Sequence, residues 1–482
     1  MKSIIIVGGG ISGLAAAFHL QEHLHAKETD LACTLIEGQK KPGGKIFTEK
    51  LNGFIIEAGP DSFITQKPWA LELCHKMGLK DRLIPTNQNQ KNIYIFSGDK
   101  LHLLPEGMVL LVPTRLMPLL RSSLLSPIGK LRMALDLFIP PRKDAGDESL
   151  AAFVRRRLGR EALNKIVEPL MAGIYAGQAE ALSLKSTFPR FKDLEREYGS
   201  LIRGLIAKRR EAAREEKAEE KAGDRQAQTL FMSLREGMGE FVETLVSRLN
   251  QIRLMTGKQV RSIRLAGQTG PAYQVELEDG TSVLADVVIL TTPAFVTADL
   301  IDSLNPSLGQ ALREIPYVST ATISLAYKRS QCPHPLDGYG FVVPRTEGRN
   351  IMACTWTSTK FPHRAPAGDV LIRCFVGGAG QEPLVHLDDH AMIRMIREEL
   401  ETIMGIESEP VLTRIYRWER GNPQYTVGHL ERLAAIEGLI KGHPGLFLTG
   451  SAYYGVGIPD CIHEGTRIAQ QALQFLNTPS AR

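Results

Sequence analysis

The chain has 482 residues, 43 % of them hydrophobic and 23 % charged, so it is long enough for two or three domains and too apolar for a disordered or fibrous protein. Its formal charge of +5 is small for this length, and the basic residues are spread along the chain, which speaks against nucleic-acid binding. Six cysteines (Cys33, Cys74, Cys332, Cys354, Cys374 and Cys461) stand far apart, with no C-x-x-C pair and no histidine at metal spacing; they read as reduced thiols of a cytoplasmic protein without a metal centre.

Ile4-Ile5-Ile6-Val7 is too short for a signal h-region and runs straight into glycines without a cleavage site, so residues 2 to 7 are expected to form a strand buried on both faces. Between residues 13 and 24, Leu14, Ala17, Phe18 and Leu20 recur at helical spacing, and residues 31 to 36 form a second strand that ends at Glu37. The turn between strand and helix is Gly8-Gly9-Gly10-Ile11-Ser12-Gly13, a G-x-G-x-x-G pattern on Gly8, Gly10 and Gly13. The first glycine permits the tight turn, the second lets the backbone approach a pyrophosphate, and the third lets the helix pack on the strand. The phosphates then lie at a helix N-terminus, where free N–H groups and the dipole favour anions, and Glu37 lies where an acid takes ribose hydroxyls. This is a dinucleotide site, but the motif alone does not separate NAD from FAD. Two glycine-rich segments follow it, Pro42-Gly43-Gly44-Lys45-Ile46 and the run from Gly53 to Gly59-Pro60-Asp61-Ser62.

Residues 98 to 143 are rich in Leu, Met and Pro, and Lys100, Arg115, Arg121, Lys130, Arg132, Arg142 and Lys143 outnumber the acids. Two readings stay open: short helices lying on a membrane interface, or a Pro-punctuated helical unit packed on the rest of the protein. No run of about 18 apolar residues occurs, so no spanning helix is expected. Residues 208 to 225 interleave both charge signs and are expected to be a solvated helix or insert. Strands follow around Val260 and from Tyr273 to Leu290, with an Asp279-Gly280 hairpin signal. Residues 323 to 376 also read as strands, and residues 388 to 404 as an amphipathic helix.

The C-terminal part carries Phe447-Leu448-Thr449-Gly450-Ser451, then Gly455-Val456-Gly457-Ile458-Pro459-Asp460-Cys461-Ile462 and Gly465. It resembles the C-terminal flavin motif of the amine-oxidase-like flavoproteins, whose G-G-[RK] loop and flavin-side loop the segments at Lys45 and Gly59 also resemble. This selects FAD over NAD. A helix N-terminus at the flavin would stabilise negative charge on the reduced ring. Cys461 reads as a packing residue, since hydride transfer to flavin needs no thiol.

More narrowly, the chain resembles the porphyrinogen oxidases of haem biosynthesis, nearly end to end. The specific blocks are Arg155-Arg156-Arg157-Leu158-Gly159, Glu168 to Gly177, Ala353-Cys354-Thr355-Trp356-Thr357, and Pro423-Gln424-Tyr425-Thr426-Val427-Gly428-His429. The resemblance implies FAD contacts at Gly8, Gly9, Gly10, Ile11, Ser12, Gly13, Glu37, Gly38, Gly44, Lys45, Gly59, Pro60, Asp61, Ser62, Val260, Trp418, Ser451, Val456, Gly457 and Ile458, and an apolar cavity over the flavin to which Phe375 contributes. It implies a six-electron oxidation of a porphyrinogen in three two-electron steps, with O2 as acceptor and H2O2 as product. Plant-type relatives carry an arginine just before a Y-I-type strand to pair a propionate; Asn92 and Ile93 precede Tyr94 here, which points to coproporphyrinogen III rather than protoporphyrinogen IX. An amine oxidase or carotenoid desaturase on the same fold is the alternative, and a flavin-free lipid-binding module of the GDP-dissociation-inhibitor kind a more distant one. The expected fold is α/β: a discontinuous Rossmann-like FAD-binding domain (1–90, 228–300 and 420–482), a mixed-sheet substrate domain (91–100 and 301–419) and an inserted helical domain (101–227). The chain is expected to be cytoplasmic, with peripheral contact to the cytoplasmic face of the membrane and a homodimer both left open.

Overall fold

A computed structural model describes residues 2–26, 30–105, 108–109, 112–113, 121–142, 144, 146–220, 229–267 and 272–478. The opening strand Lys2–Val7 is central in a five-stranded parallel sheet, flanked on one side by Leu31–Glu37 and Arg253–Thr256 and on the other by Val287–Leu290 and Leu446–Leu448. Ile4, Ile5, Ile6 and Val7 are each at most 3 % exposed, so every apolar side chain in the run is removed from water on one face or the other, at roughly 1.5–3 kcal/mol apiece. The helix Ile11–Ala26 begins two residues earlier than the apolar spacing suggested, because the glycine turn itself enters the helix. It packs against the helix Ile458–Asn477 so closely that a Cβ on Gly465 would lie 2.3 Å from the Ser12 carbonyl oxygen. Strands Val260–Leu265, Tyr273–Leu277 and Ser282–Ala285 form a separate antiparallel sheet, with Gly280 in its hairpin at φ +83°.

A seven-stranded mixed sheet lies beside this unit, in the order Leu412–Pro423, Tyr317–Lys328, Asp369–Gly377, Ala353–Thr355, Gly338–Val342, Asn92–Ser97 and Lys100–Leu103. Two of its strands run across the boundaries expected at 100/101 and 419/420, because cross-strand pairing continues past the points where composition changes. The helix Asp389–Met404 covers one face through Met392, Ile396, Leu400 and Met404, with the Asp388 carboxylate accepting from the Ala391 N–H as N-cap.

The inserted helices include Leu150–Arg157, Glu168–Tyr175, Pro189–Tyr198 and Leu201–Glu220. Arg157 is fully buried, ion-paired with the equally buried Asp136 at 2.6 Å, and its guanidinium also donates to the carbonyls of Asp136, Ile139 and Gly199. The Arg155-Arg156-Arg157 block is therefore a structural anchor: Arg156 binds Glu148 and Glu195, and Arg157 ties the segment around 136–140 to the helix pair. Within the stretch expected at 98 to 143, residues 106–107, 110–111, 114–120 and 143 lie outside the described residues. The helix Pro127–Ala134 within it leaves Ile128 and Leu131 exposed, and the face continues to Leu135 and Phe138. The charged stretch expected at 208 to 225 enters the helix Leu201–Glu220, and its end lies outside the described residues.

Candidate cofactor site

The site is built where two helix N-termini come together, those of Ile11–Ala26 and Ile458–Asn477. At the first, backbone alone shapes the cradle. Gly8 sits at φ +107°, where a side chain would be strained, and its Cβ would lie 2.6 Å from the Thr291 hydroxyl, which donates to the Val7 and Gly8 carbonyls at 3.0 and 2.8 Å. A Cβ on Gly13 would lie 2.0 Å from the Gly8 carbonyl oxygen, so only glycine lets the helix close onto the strand. A Cβ on Gly10 would meet nothing within 4 Å, which marks open space in the turn at the position where a pyrophosphate must approach. Glu37 accepts from the Gly9 N–H at 2.6 Å and the Gln39 N–H at 2.7 Å, which pins its carboxylate at the strand end. Gly38 lies against Gln259, and Val260 shares a core cluster with Val7 and Ile36, so residues expected at the adenine and far apart in sequence are brought together.

Gly43 donates to the Gly9 carbonyl at 2.7 Å, and Gly44, at φ +58°, brings Lys45 under the turn. The partly buried Lys45 ammonium donates to the Gly421 carbonyl, and desolvation lowers its pKa. A bound anion beside it would reverse that penalty. Nearby, burial pushes the Cys461 thiol up to about 11, with Ser12 and Lys45 opposing, so it remains a thiol at neutral pH and packs rather than attacks.

At the flavin-side loop the geometry differs. The carbonyls of residues 57 to 59 are all taken by side chains of the seven-stranded sheet: Arg373 donates to Glu57 and Gly59 at 3.2 and 2.7 Å, while Thr322 and the Trp418 indole donate to Ala58 at 2.8 and 3.0 Å. Asp61 is turned inward. Its carboxylate accepts from Lys360 at 2.9 Å and from the Ser62 hydroxyl at 2.7 Å, and Arg373 lies at 3.3 Å. Burial opposes its ionisation, yet Lys360 and Arg373 together hold its pKa well below the usual carboxylate range. Asp61 and Trp418 are thus bonded into the loop, and Pro60 lies within it. A Cβ on Gly59 would lie 2.0 Å from the Lys45 carbonyl oxygen, which joins the two loops.

At the second helix N-terminus, Gly457 is the N-cap and no side chain caps it, so its N–H groups are left for a ligand. Val456 packs against the core of the inserted helices, and the Ser451 carbonyl is held by the Tyr425 hydroxyl at 2.8 Å. Phe375 lies partly buried beside Ala176, Val318, Met352 and Ala379, with the Arg373 guanidinium 4.8 Å from its ring centre. Alternation along the strand puts Phe375 on the same face as Arg373, the face that meets the Gly59 loop.

FAD fits these residues. The open turn at Gly10, the partly buried ammonium of Lys45 with a carbonyl as its hydrogen-bond acceptor, and the uncapped helix at Gly457 offer places for an anionic cofactor along one path. Sequence reasoning missed Lys360, Arg373 and Thr291, whose roles depend on partners hundreds of residues away. Arg373 stands two residues before Phe375, the one local signal that could have found it. Among the described residues no cluster of potential metal ligands occurs and no helix is long and apolar enough to cross a membrane.

Residues 11–473 match the family described as flavin containing amine oxidoreductase. Over 98 % of both chains the sequence is 37 % identical to a coproporphyrinogen III oxidase of Bacillus subtilis (strain 168). It is 31 % identical to the chloroplastic protoporphyrinogen oxidase 1 of Arabidopsis thaliana over 98 % of this chain and 88 % of that one. A crystal structure from Exiguobacterium sp. 255-15, assigned to the protoporphyrinogen oxidases, superposes with a TM-score of 0.84 at 32 % identity, covering 98 % and 99 % of the two chains.

Proposed function

This chain belongs to the flavin containing amine oxidoreductases, and we propose that within them it oxidises coproporphyrinogen III to coproporphyrin III. The observation that carries the reading is the end-to-end similarity to the Bacillus subtilis coproporphyrinogen III oxidase, which exceeds that to the chloroplastic protoporphyrinogen oxidase. Asn92 supports it. It opens the strand Asn92–Ser97 where a propionate-pairing arginine is expected in plant-type relatives, and its amide lies 3.4 Å from the Tyr94 hydroxyl, itself donating to Asp337.

Bound FAD supplies the two-electron acceptor, returned to its oxidised form by O2 with release of H2O2; three such turnovers remove the six electrons and six protons that separate porphyrinogen from porphyrin. Aromatisation drives the reaction, so the chain's own work is placement and exclusion of water. The apolar cluster of Phe375, Met352, Val318 and Ala176 offers a dry wall for the macrocycle, and Arg373 holds that wall against the Gly59 loop. Reconstituted protein should convert coproporphyrinogen III with a higher kcat/KM than protoporphyrinogen IX, read as porphyrin fluorescence. A preference for protoporphyrinogen IX would move the substrate assignment, and conversion of neither would remove it.

The place of action is a second proposal: the enzyme works at the cytoplasmic face of the membrane, held peripherally. Ile128, Leu131, Leu135 and Phe138 are 80, 66, 44 and 78 % exposed and recur at helical spacing on one face, with Arg121 and Lys130 close by in sequence. Flotation with anionic liposomes, lost when Leu131 and Phe138 are replaced by glutamate, is the expected result; unsubstituted protein that stays in the soluble fraction would leave the face to another role.

A further inference from the structure

Residues 423 to 429 leave the strand Leu412–Pro423 and are bonded in two directions. Towards the inserted helices, Gln424 donates to the Tyr175 carbonyl at 2.7 Å, the Tyr425 carbonyl accepts from Ser183 at 2.7 Å, and Val427 donates to Ala181 at 3.0 Å. Towards the flavin motif, the Tyr425 hydroxyl donates to the Ser451 carbonyl and accepts from the Gly455 N–H, each at 2.8 Å. The fully buried His429 stacks on the Tyr425 ring at 4.1 Å and 13°, and its Nε2 meets the Tyr453 carbonyl at 3.0 Å. Burial raises the Tyr425 pKa, so the hydroxyl keeps the proton it donates. Gly455 is wedged from its other side as well, since a Cβ there would lie 2.4 Å from the Cβ of Asp460, whose carboxylate is paired with Lys67 at 2.6 Å.

We propose that Tyr425 is a positioning residue for the flavin: its hydroxyl closes the 451–455 loop in one conformation and so fixes where the N-terminus of Ile458–Asn477 meets the cofactor, before the cofactor binds. One hydroxyl satisfies a carbonyl and an amide four residues apart, and no other side chain among the described residues bonds both. The segment that supplies it is also bonded to the inserted helices, so the placement of the flavin end is coupled to the seating of that unit. The inference rests on the FAD assignment and is independent of which tetrapyrrole is oxidised.

Tyr425→Phe keeps the ring and its stack on His429 but removes both hydrogen bonds. Against the unsubstituted holoprotein it should bind FAD about tenfold more weakly, the scale of one buried hydrogen bond, and show altered fine structure in the flavin absorption spectrum. With either porphyrinogen kcat should fall while KM changes little. Tyr273→Phe is the control, because it removes a buried hydrogen bond to the Pro444 carbonyl in the same unit, 2.9 Å long and away from the flavin loop. Wild-type FAD affinity and spectrum in Tyr425→Phe, or equal losses in Tyr273→Phe, would overturn the proposal. Should Tyr425→Phe not fold, hydrogen exchange of the unsubstituted chain decides: slow exchange at the Gly455 amide in FAD-free protein supports a preformed loop, and fast exchange slowed only by FAD overturns it. An unsubstituted chain that takes up no FAD would overturn the cofactor assignment and this inference with it.

Discussion

The two ends of the cofactor cradle are built by different means. At the expected pyrophosphate end most of the groups lie within one β-α-β unit: Gly8, Gly10 and Gly13 make room and Glu37 closes the next strand, with Thr291 bracing the turn from outside it. At the expected flavin end the loop around Gly59 is held by side chains from elsewhere in the fold. The carbonyls of residues 57 to 59 are held by Thr322, Arg373 and Trp418 of the seven-stranded sheet, the Asp61 carboxylate by Arg373 and by Lys360 at the end of the helix Thr357–Lys360, and the 451–455 loop by Tyr425. A site defined by absent side chains needs only local sequence, whereas one defined by braced loops needs the whole fold in place. The first should be sensitive to added volume and the second to lost charge and hydrogen bonds.

The largest effect is expected from adding volume at the first end, and two glycines three residues apart separate its causes. Gly13→Val drives atoms into the Gly8 carbonyl, and it should cost several kcal/mol in chemical denaturation as well as abolish FAD uptake. Gly10→Val points into open space, so the FAD-free protein should unfold within about 1 kcal/mol of wild type while FAD affinity falls at least about a hundredfold. Equal destabilisation by both would break the distinction between a packing glycine and a cofactor glycine.

Next comes the braced end. Asp61→Asn leaves Lys360 and Arg373 facing each other without their shared carboxylate, at a cost of about 3–5 kcal/mol in urea unfolding. Retained stability would show that the loop is not held by this cluster.

The smallest effect is a pH dependence. Burial lowers the His429 pKa to about 4, from an ordinary value of 6.5. The unfolded chain then binds the proton that the folded one refuses, so stability is complete above pH 6.5 and falls as the pH drops from 6.5 towards 4, by up to about 3 kcal/mol. His429→Gln can keep a donor for the Tyr453 carbonyl and should flatten this slope, measured by thermal unfolding across that window. An unchanged slope would place the acid sensitivity in other histidines whose pKa burial lowers, such as His334 and His363.

The legible part of the site follows the same division. The strand at Ile4, the turn at Gly8 to Gly13 and the end of the second strand at Glu37 could be read directly, because period, glycine placement and strand length are local properties. The helix of residues 389 to 404 was legible for the same reason, with Asp388 as its cap. Lys360 carried no signal in its own neighbourhood, since a lone lysine at the end of a Thr-Ser-Thr run looks solvated; its side chain is 14 % exposed and paired with Asp61. Tyr425 stood in a block that the family resemblance singled out, but nothing in that block says that its hydroxyl reaches Gly455.

By itself, then, the amino-acid sequence determined the α/β character and the dinucleotide turn, because each rests on backbone conformations that only certain residues in a short window permit, while the choice of FAD over NAD came from the resemblance of the Lys45, Gly59 and Gly455 segments to the amine-oxidase-like flavoproteins. Only the tertiary structure decided that Asp61 faces inward, that Arg373 seats the flavin-side loop, that Arg157 is a buried anchor, and that Tyr425 spans the loop before the last helix. The physical reason is that a buried charge or hydroxyl acquires its role from a partner. Those partners lie far off along the chain, where no local pattern records them.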